Sequence, residues 1–341
     1  VWRAFREGND MVNARVVVMG ASKGGVAALM RIVRDLPPGF SAPICVVLHI
    51  GAHRSILPQI LSTKGALPAV HPHDGQKLEN GRIFVAPPDC HMRLEADVVR
   101  LVKGPKEHHT RPAIDPLFRS AAQTYGERAV GVVLTGLLDD GTPGMQAIKQ
   151  HGGICVVQDP EEAEEPSMPL SVLKHVAVDH RARLDEMPAL LATLVTSAPP
   201  RNLPMPTSSR TMHEEALFSG TADAIAHLRE IGAPSTFACP DCKGTLWQVA
   251  DTRPPRFRCH TGHAFTLGTL QHAQAEATDG ALWNAIRALQ EKKLLTQAAL
   301  EVSRDEGDEV QAAELMARIN ELEAQARSLQ GLTRTVNESD P

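Results

Sequence analysis

The stretch Val16-Val17-Val18-Met19-Gly20-Ala21-Ser22-Lys23-Gly24-Gly25, running on into Val26 to Asp35, decides the fold. An apolar run without polar alternation reads as a strand covered on both faces. A glycine-rich turn follows it. Beyond the turn, Leu29, Ile32, Val33 and Leu36 fall on one face of a helix that Pro37-Pro38-Gly39 stops. Similar runs recur at Ile44 to Leu48, Arg82 to Ala86, Ala129 to Leu134 and Ile154 to Val157, separated by amphipathic stretches. The expected fold class is α/β, a doubly wound and mostly parallel sheet. Such a sheet gathers the carboxyl ends of its strands along one rim, so residues distant in sequence meet there.

Three of these runs end on groups with complementary chemistry. Ser22 sits in Gly20-x-Ser22-x-Gly24, His49 follows Val46-Val47-Leu48, and Asp139-Asp140 lie in Thr135-Gly136-Leu137-Leu138-Asp139-Asp140-Gly141. A serine hydroxyl is a weak nucleophile until a base takes its proton and donors await the oxyanion. A turn at a helix N-terminus offers such donors. His49 closes an apolar strand where an unpaired imidazole is costly, and a carboxylate is needed to hold its tautomer. Ser22, His49 and Asp140 are therefore the candidate catalytic residues, with His53 competing as base and Asp139 as acid. The alternatives are a glycine turn that only joins strand to helix, a phosphate cradle, and a histidine bonded to backbone. A Walker loop is set aside because Gly24-Gly25-Val26 lacks its closing Gly-Lys-Ser/Thr. A dinucleotide loop fits poorly, since the glycine spacing differs and His49, not an acid, ends the second strand. The order serine, histidine, aspartate also departs from that of the usual α/β-hydrolase.

The chain has 341 residues, 43% hydrophobic and 22% charged, which suits two or more globular domains. Aromatic residues are 4%, with Tyr125 the single tyrosine, so a stacking platform for single-stranded nucleic acid is not expected. A net charge of −5 disfavours polyanionic partners. No window is apolar enough to cross a bilayer, and Val1 to Asn13 lack a secretory pattern, so no membrane insertion and a cytoplasmic location are expected.

The expected organisation is an N-terminal extension (1–13), a catalytic domain (14–195), a proline-rich linker (196–212), a short helix with a cysteine module (213–268) and a helical tail (269–341). Cys45, Cys90 and Cys155 stand alone and read as buried thiols. Cys239-Pro240-Asp241-Cys242 and Cys259-His260-Thr261-Gly262-His263 have close to zinc-ribbon spacing. Cys239, Cys242, Cys259 and His263 are the candidate ligands of a structural zinc, with His260 the fallback for the imidazole. A closed site of this kind staples a segment too small for its own core. In the tail, Leu282, Ile286 and Leu289, then Leu315, Ile319, Leu322, Ala326 and Leu329, follow helical spacing on either side of Arg304 to Glu309. A helical hairpin and a dimerising coiled coil, hence a homo-oligomer, both satisfy that pattern.

Taken together, the three strand-end segments resemble the catalytic domain of CheB-type protein-glutamate methylesterases of bacterial chemotaxis. Further similarity lies in Val85 to Met92, in Arg111 to Ala122, and in Met168-Pro169 with Val178-Asp179. The resemblance implies a Ser22-His49-Asp140 triad that hydrolyses glutamate γ-methyl esters on methylated chemoreceptor-type proteins, in many members also deamidating glutamine. No cofactor is implied for catalysis. Similar ribbons occur on members without a receiver domain, and the few residues ahead of Val16 lead us to expect none here. Lys23, Leu48, Ile50-Gly51 and Leu137-Leu138-Asp139 depart from the family pattern and bear on substrate preference. The ribbon and tail suit a signalling partner, and a non-catalytic scaffold is the rival reading. Nucleic-acid binding through the ribbon is disfavoured by the acidic Glu161 to Glu165 stretch and the overall charge.

Overall fold

A parallel strand covered on both faces needs apolar residues at every position, and β1 (Val16–Ala21) is buried throughout. The computed structural model describes residues 15–50, 54–197, 209–220 and 223–337. After β1 come α1 (Gly25–Asp35), β2 (Ile44–Leu48), α2 (Leu57–Lys64), β3 (Ala69–Val70) and β4 (Ile83–Val85). An antiparallel hairpin, β5 (His91–Glu95) and β6 (Val98–Val102), leads to α3 (Ile114–Tyr125). Then follow β7 (Ala129–Val133), α4 (Thr142–Gln150), β8 (Ile154–Gln158), α5 (Ser167–His175), β9 (His180–Ala182) and α6 (Met187–Thr196). The main sheet runs β3-β4-β2-β1-β7-β8-β9, with every neighbouring pair parallel. The doubly wound expectation is met.

Alternation along β1 divides the core. Val17, Met19 and Ala21 pack with Leu29, Ile32 and Val33 of α1, Leu61 of α2 and Leu191 of α6. Val16 and Val18 face Leu117, Phe118 and Ala121 of α3 with Met145 and Ile148 of α4. Each large side chain buried in these layers contributes about 1.5–3 kcal/mol. They hold β1 at the centre of the sheet, where the strand order turns from β2 on one side to β7 on the other. Crevices form at such a switch point.

The C-terminal part begins with α7 (Ser209–Phe218) and α8 (Ala224–Ile231). An antiparallel sheet follows, of β10 (Gly232–Ala238), β11 (Thr245–Val249), β12 (Arg256–Cys259) and β13 (Ala264–Thr266), in that order. This module does not stand apart from the main sheet. The chain divides into compact units between Leu270 and Gln271, so the expected 213–268 module shares one unit with the catalytic domain. Buried charge explains the union. Arg258 of β12, 0% exposed, reaches Glu107 at 3.2 Å, and Arg119 of α3 donates twice to the same carboxylate at 2.9 and 2.7 Å. Glu214 of α7 in turn accepts from Arg256 at 2.7 Å. Glu107→Gln would leave Arg119 and Arg258 in the interior with only the more distant Glu215 (3.7 Å) and Glu214 (3.8 Å) as counter-charges, and we expect a loss of about 3 kcal/mol, read by urea unfolding. A midpoint equal to that of the wild type would show that the network contributes nothing net.

The second unit holds the helical tail. α9 (Leu267–Asp305) starts in the first unit and supplies most of its length here, and α10 (Glu309–Asn337) turns back along it. Gly307, at φ 76°, takes the left-handed conformation that the reversal between them requires. Lys293 pairs with Glu323 at 3.0 Å and Ser303 donates to Gln311 at 2.9 Å, so the helices run antiparallel. Ile286, Leu300, Ile319 and Leu322 are buried between them, which makes the tail a hairpin. Among the described residues no helix is long and apolar enough to cross a membrane.

Candidate active site

The register of the sheet sets the site. Ala21 is level with Leu48 and Gly20 with Val133, so the residues just past β1, β2 and β7 emerge side by side. Ser22 follows β1, its N–H donating to the Thr135 carbonyl at 3.0 Å. Gly24, at φ 77°, closes the turn into α1. Gly136 is required by close approach, since a Cβ there would lie 2.8 Å from Ser22 Cβ and 2.1 Å from Met168 Sδ. His49 follows β2, its N–H bound to the Ala21 carbonyl at 3.2 Å.

These placements bring the three predicted groups into one line. His49 Nδ1 lies 3.2 Å from Ser22 Oγ, and His49 Nε2 lies 2.7 Å from Asp140 Oδ2. Asp140 is 2% exposed and also accepts the N–H groups of Ile114 (2.8 Å) and Asp115 (3.1 Å), at the N-terminus of α3. Burial by itself would raise the Asp140 carboxyl. His108 and His49 beside it, with the Ile114 N–H, outweigh that and hold it at about 2. With Asp140 ionised, the imidazole proton belongs on Nε2, and the Nδ1 lone pair faces the serine hydroxyl.

The neighbouring candidates go elsewhere. Asp139 accepts from Thr266 Oγ1 at 2.5 Å, and burial raises its carboxyl even though His108 is near. His53 lies outside the described residues. Lys23 pairs with Glu165, and that carboxylate raises the ammonium. The Gly25 N–H donates to the Ser22 carbonyl at 2.8 Å. Since the Ser22 N–H is also engaged, the donors that the turn was expected to supply reduce to the Lys23 and Gly24 N–H groups.

Sequence reasoning missed the layer beneath Asp140. His108 is buried, with Nε2 2.8 Å from Asp115 Oδ2 and 3.5 Å from Asp140 Oδ1, and Nδ1 3.1 Å from Thr269 Oγ1. Burial opposes its protonation, but Asp140, Asp115 and Asp139 prevail and raise it to about 9. Because this exceeds the ordinary value of 6.5, the stabilisation is complete below about pH 6.5 and is lost as pH rises through about 9. Stability is expected to fall by on the order of 3 kcal/mol across that interval. Urea unfolding at a series of pH values should show the slope in wild type and a flatter one in His108→Asn. Parallel slopes would mean that His108 does not carry the effect. Glu107, His108 and Asp115 also lie within metal-binding distance of one another, but their ion pairs account for the cluster.

The cysteine module assembles its own predicted group. Ligand atoms of Cys239, Cys242, Cys259 and His263 all lie within 4.8 Å of one another. Cys242 and Cys259 sulfurs are 3.6 Å apart, and His263 Nδ1 is 3.4 Å from Cys259 Sγ and 3.7 Å from Cys239 Sγ. Zinc bonds of about 2.3 Å to sulfur and 2.0–2.1 Å to nitrogen in a tetrahedron demand edges of this size, so the residues fit the ion. His260 is exposed and packs over Gly244, outside the group.

Fold and site together define an α/β domain of the hydrolase type, in which a hydroxyl, an imidazole and a buried carboxylate align at the switch point of a parallel sheet. Residues 17–191, about half of the chain, match the family model for the CheB methylesterase, and the chain belongs to that family. It is 34% identical over 189 residues to a putative protein-glutamate methylesterase/protein-glutamine glutaminase of Leptospira interrogans, covering 54% of this chain and 96% of that protein. Protein-glutamate methylesterase/protein-glutamine glutaminase 2 of Anaeromyxobacter dehalogenans is 39% identical over 198 residues, covering 56% of this chain but only 58% of its own length. Among solved structures, the CheB methylesterase catalytic domain of Thermotoga maritima superposes with a TM-score of 0.52 at 33% identity, over 53% of this chain and 99% of that one. The cysteine module and the tail lie beyond the residues that the family model matches.

Proposed function

We propose that this chain hydrolyses glutamate γ-methyl esters on a chemoreceptor-type protein, with Ser22 as nucleophile, His49 as general base and then acid, and Asp140 as the carboxylate that orients His49. The observation that carries the reading is the unbroken line from Ser22 Oγ through His49 to Asp140. His49 Nδ1 takes the hydroxyl proton as Oγ bonds to the ester carbonyl carbon. The carbonyl π pair moves to oxygen, where the Lys23 and Gly24 N–H groups and the α1 N-terminus stabilise it. As the tetrahedral adduct collapses, the bond to methoxide breaks and His49 returns the proton, so methanol leaves. Water then attacks the acyl-serine, with His49 taking its proton and giving it back to Ser22. A glutamine side chain entering the same site would release ammonia in place of methanol, in line with the double names of the relatives.

In the same reading Cys239, Cys242, Cys259 and His263 hold a zinc ion that closes β10–β13 without taking part in the chemistry. The proposal is tested by methanol release from a methylated receptor fragment, with ammonia release from its glutamine form measured in parallel. Methanol release together with fluorophosphonate labelling of the chain is the expected result. A folded chain that neither releases methanol nor takes the label would overturn it in favour of a scaffold.

A further inference from the structure

Residues beside the four candidate metal ligands touch the catalytic half of the chain. Asp241, between Cys239 and Cys242, pairs with His109 at 2.8 Å. Arg258, next to Cys259, meets Glu107 at 3.2 Å. Ala264, next to His263, accepts from the His108 N–H at 2.7 Å. A few residues further on, the Thr266 hydroxyl donates to Asp139 and the Thr269 hydroxyl faces His108 Nδ1. His108 spans the gap to Asp115 and Asp140. Covalent neighbours of the ligands and these polar contacts thus form a short path from the ligand cluster to the catalytic carboxylate.

We infer that the cysteine module is a metal-dependent buttress of the hydrolase site, in which Thr266 and Thr269 are positioning residues that fix Asp139 and, through His108, Asp140. The inference rests on the zinc and hydrolase readings above. A four-stranded sheet with so small a core draws its order from the ion. Without it β12 and β13 loosen, Thr266 and Thr269 lose their places, and His108 loses the partner on its Nδ1 side. Asp140 keeps a backbone donor on each oxygen, but the imidazole 3.5 Å from its Oδ1 is no longer held in place. Misplacement on the ångström scale is enough to slow a triad severely.

The test uses the full chain, with zinc content measured and the ion removed by a chelator and restored as zinc alone. The fluorophosphonate labelling rate should fall about 10- to 100-fold on removal and return on restoration. Amide exchange at 107–110 and 139–141 should rise and fall in step, a readout independent of catalysis. Thr269→Val, which keeps the shape but not the hydroxyl, should lower kcat about tenfold with KM unchanged and with zinc retained, and Thr269→Ser should restore it. These variants also decide the matter if the stripped chain unfolds altogether. Unchanged labelling and exchange after confirmed removal of zinc would overturn the inference while leaving both underlying readings intact. A chain that never binds zinc would overturn the metal dependence, and equal kcat in wild type and Thr269→Val would overturn the positioning role. A wild type that never labels would sink the hydrolase reading, with the exchange data still reporting on the buttress.

Discussion

Ser22→Ala is expected to abolish fluorophosphonate labelling and to lower methanol release by about 10⁶-fold, the scale on which serine hydrolases lose turnover when the nucleophile is removed. No other described hydroxyl stands in the same relation to His49, whose Nδ1 faces Ser22 Oγ at 3.2 Å while its Nε2 is committed to Asp140. The fold should not suffer. Ser22 is anchored by its backbone to Thr135 and Gly25, and loss of one partly buried oxygen is worth within about 0.5 kcal/mol at such a position. The decisive comparison is therefore activity against melting temperature for the same preparation. Residual turnover within tenfold of wild type, in a protein that melts normally, would move the nucleophile elsewhere.

Asp140→Asn should cost about 10⁴-fold in kcat, with KM little changed. The amide preserves the shape of the carboxylate, but its single oxygen can accept from only one of the Ile114 and Asp115 N–H groups, so some loss of melting temperature is expected beside the loss of rate. It cannot supply the negative charge that stabilises the imidazolium formed during attack. Its NH₂, if turned to His49, would also force the proton onto the nitrogen that must accept from Ser22. In wild type the carboxylate is held ionised to about pH 2, so protonation of Asp140 cannot limit the rate near neutral pH. A pre-steady-state comparison of the variant should place the loss in the acylation step. A fall confined to KM would instead make Asp140 a binding residue.

Much of this site could be read from the chain because it lies where strands end. β1, β2, β7 and β8 are covered on both faces, so their sequences are unbroken apolar runs, and a serine, histidine or aspartate just past them is conspicuous. The edges gave no such signal: β3 has two residues and β9 is His180 to Ala182, with no apolar run. The spacing of the cysteines and His263 likewise pointed to a four-residue cluster, and their ligand atoms do lie within 4.8 Å of one another. What stayed hidden was burial created by distant contact. Glu107-His108-His109-Thr110 has the polarity of an exposed loop, yet His108 and Glu107 are interior because Thr269 and Arg258 arrive from far along the chain. No periodicity in the segment itself encodes that. The only local hint was Asp115, a carboxylate in the first turn of a helix that is otherwise a core element. The tail pattern was equally compatible with one chain or two, and the Gly307 reversal with the Lys293–Glu323 pair selects the hairpin.

The union of Arg258 with Glu107 and of Thr269 with His108 has a consequence for the order in which a ribosome makes this protein. The sheet is complete once α6 has emerged, but the residues that complete the layer beneath Asp140 follow some seventy positions later, several seconds at the ~5–20 residues per second of translation. During that interval the nascent chain carries its serine, histidine and aspartate over an unfinished floor. On the buttress inference, full esterase competence then arrives late, once the residues up to Thr269 have left the exit tunnel.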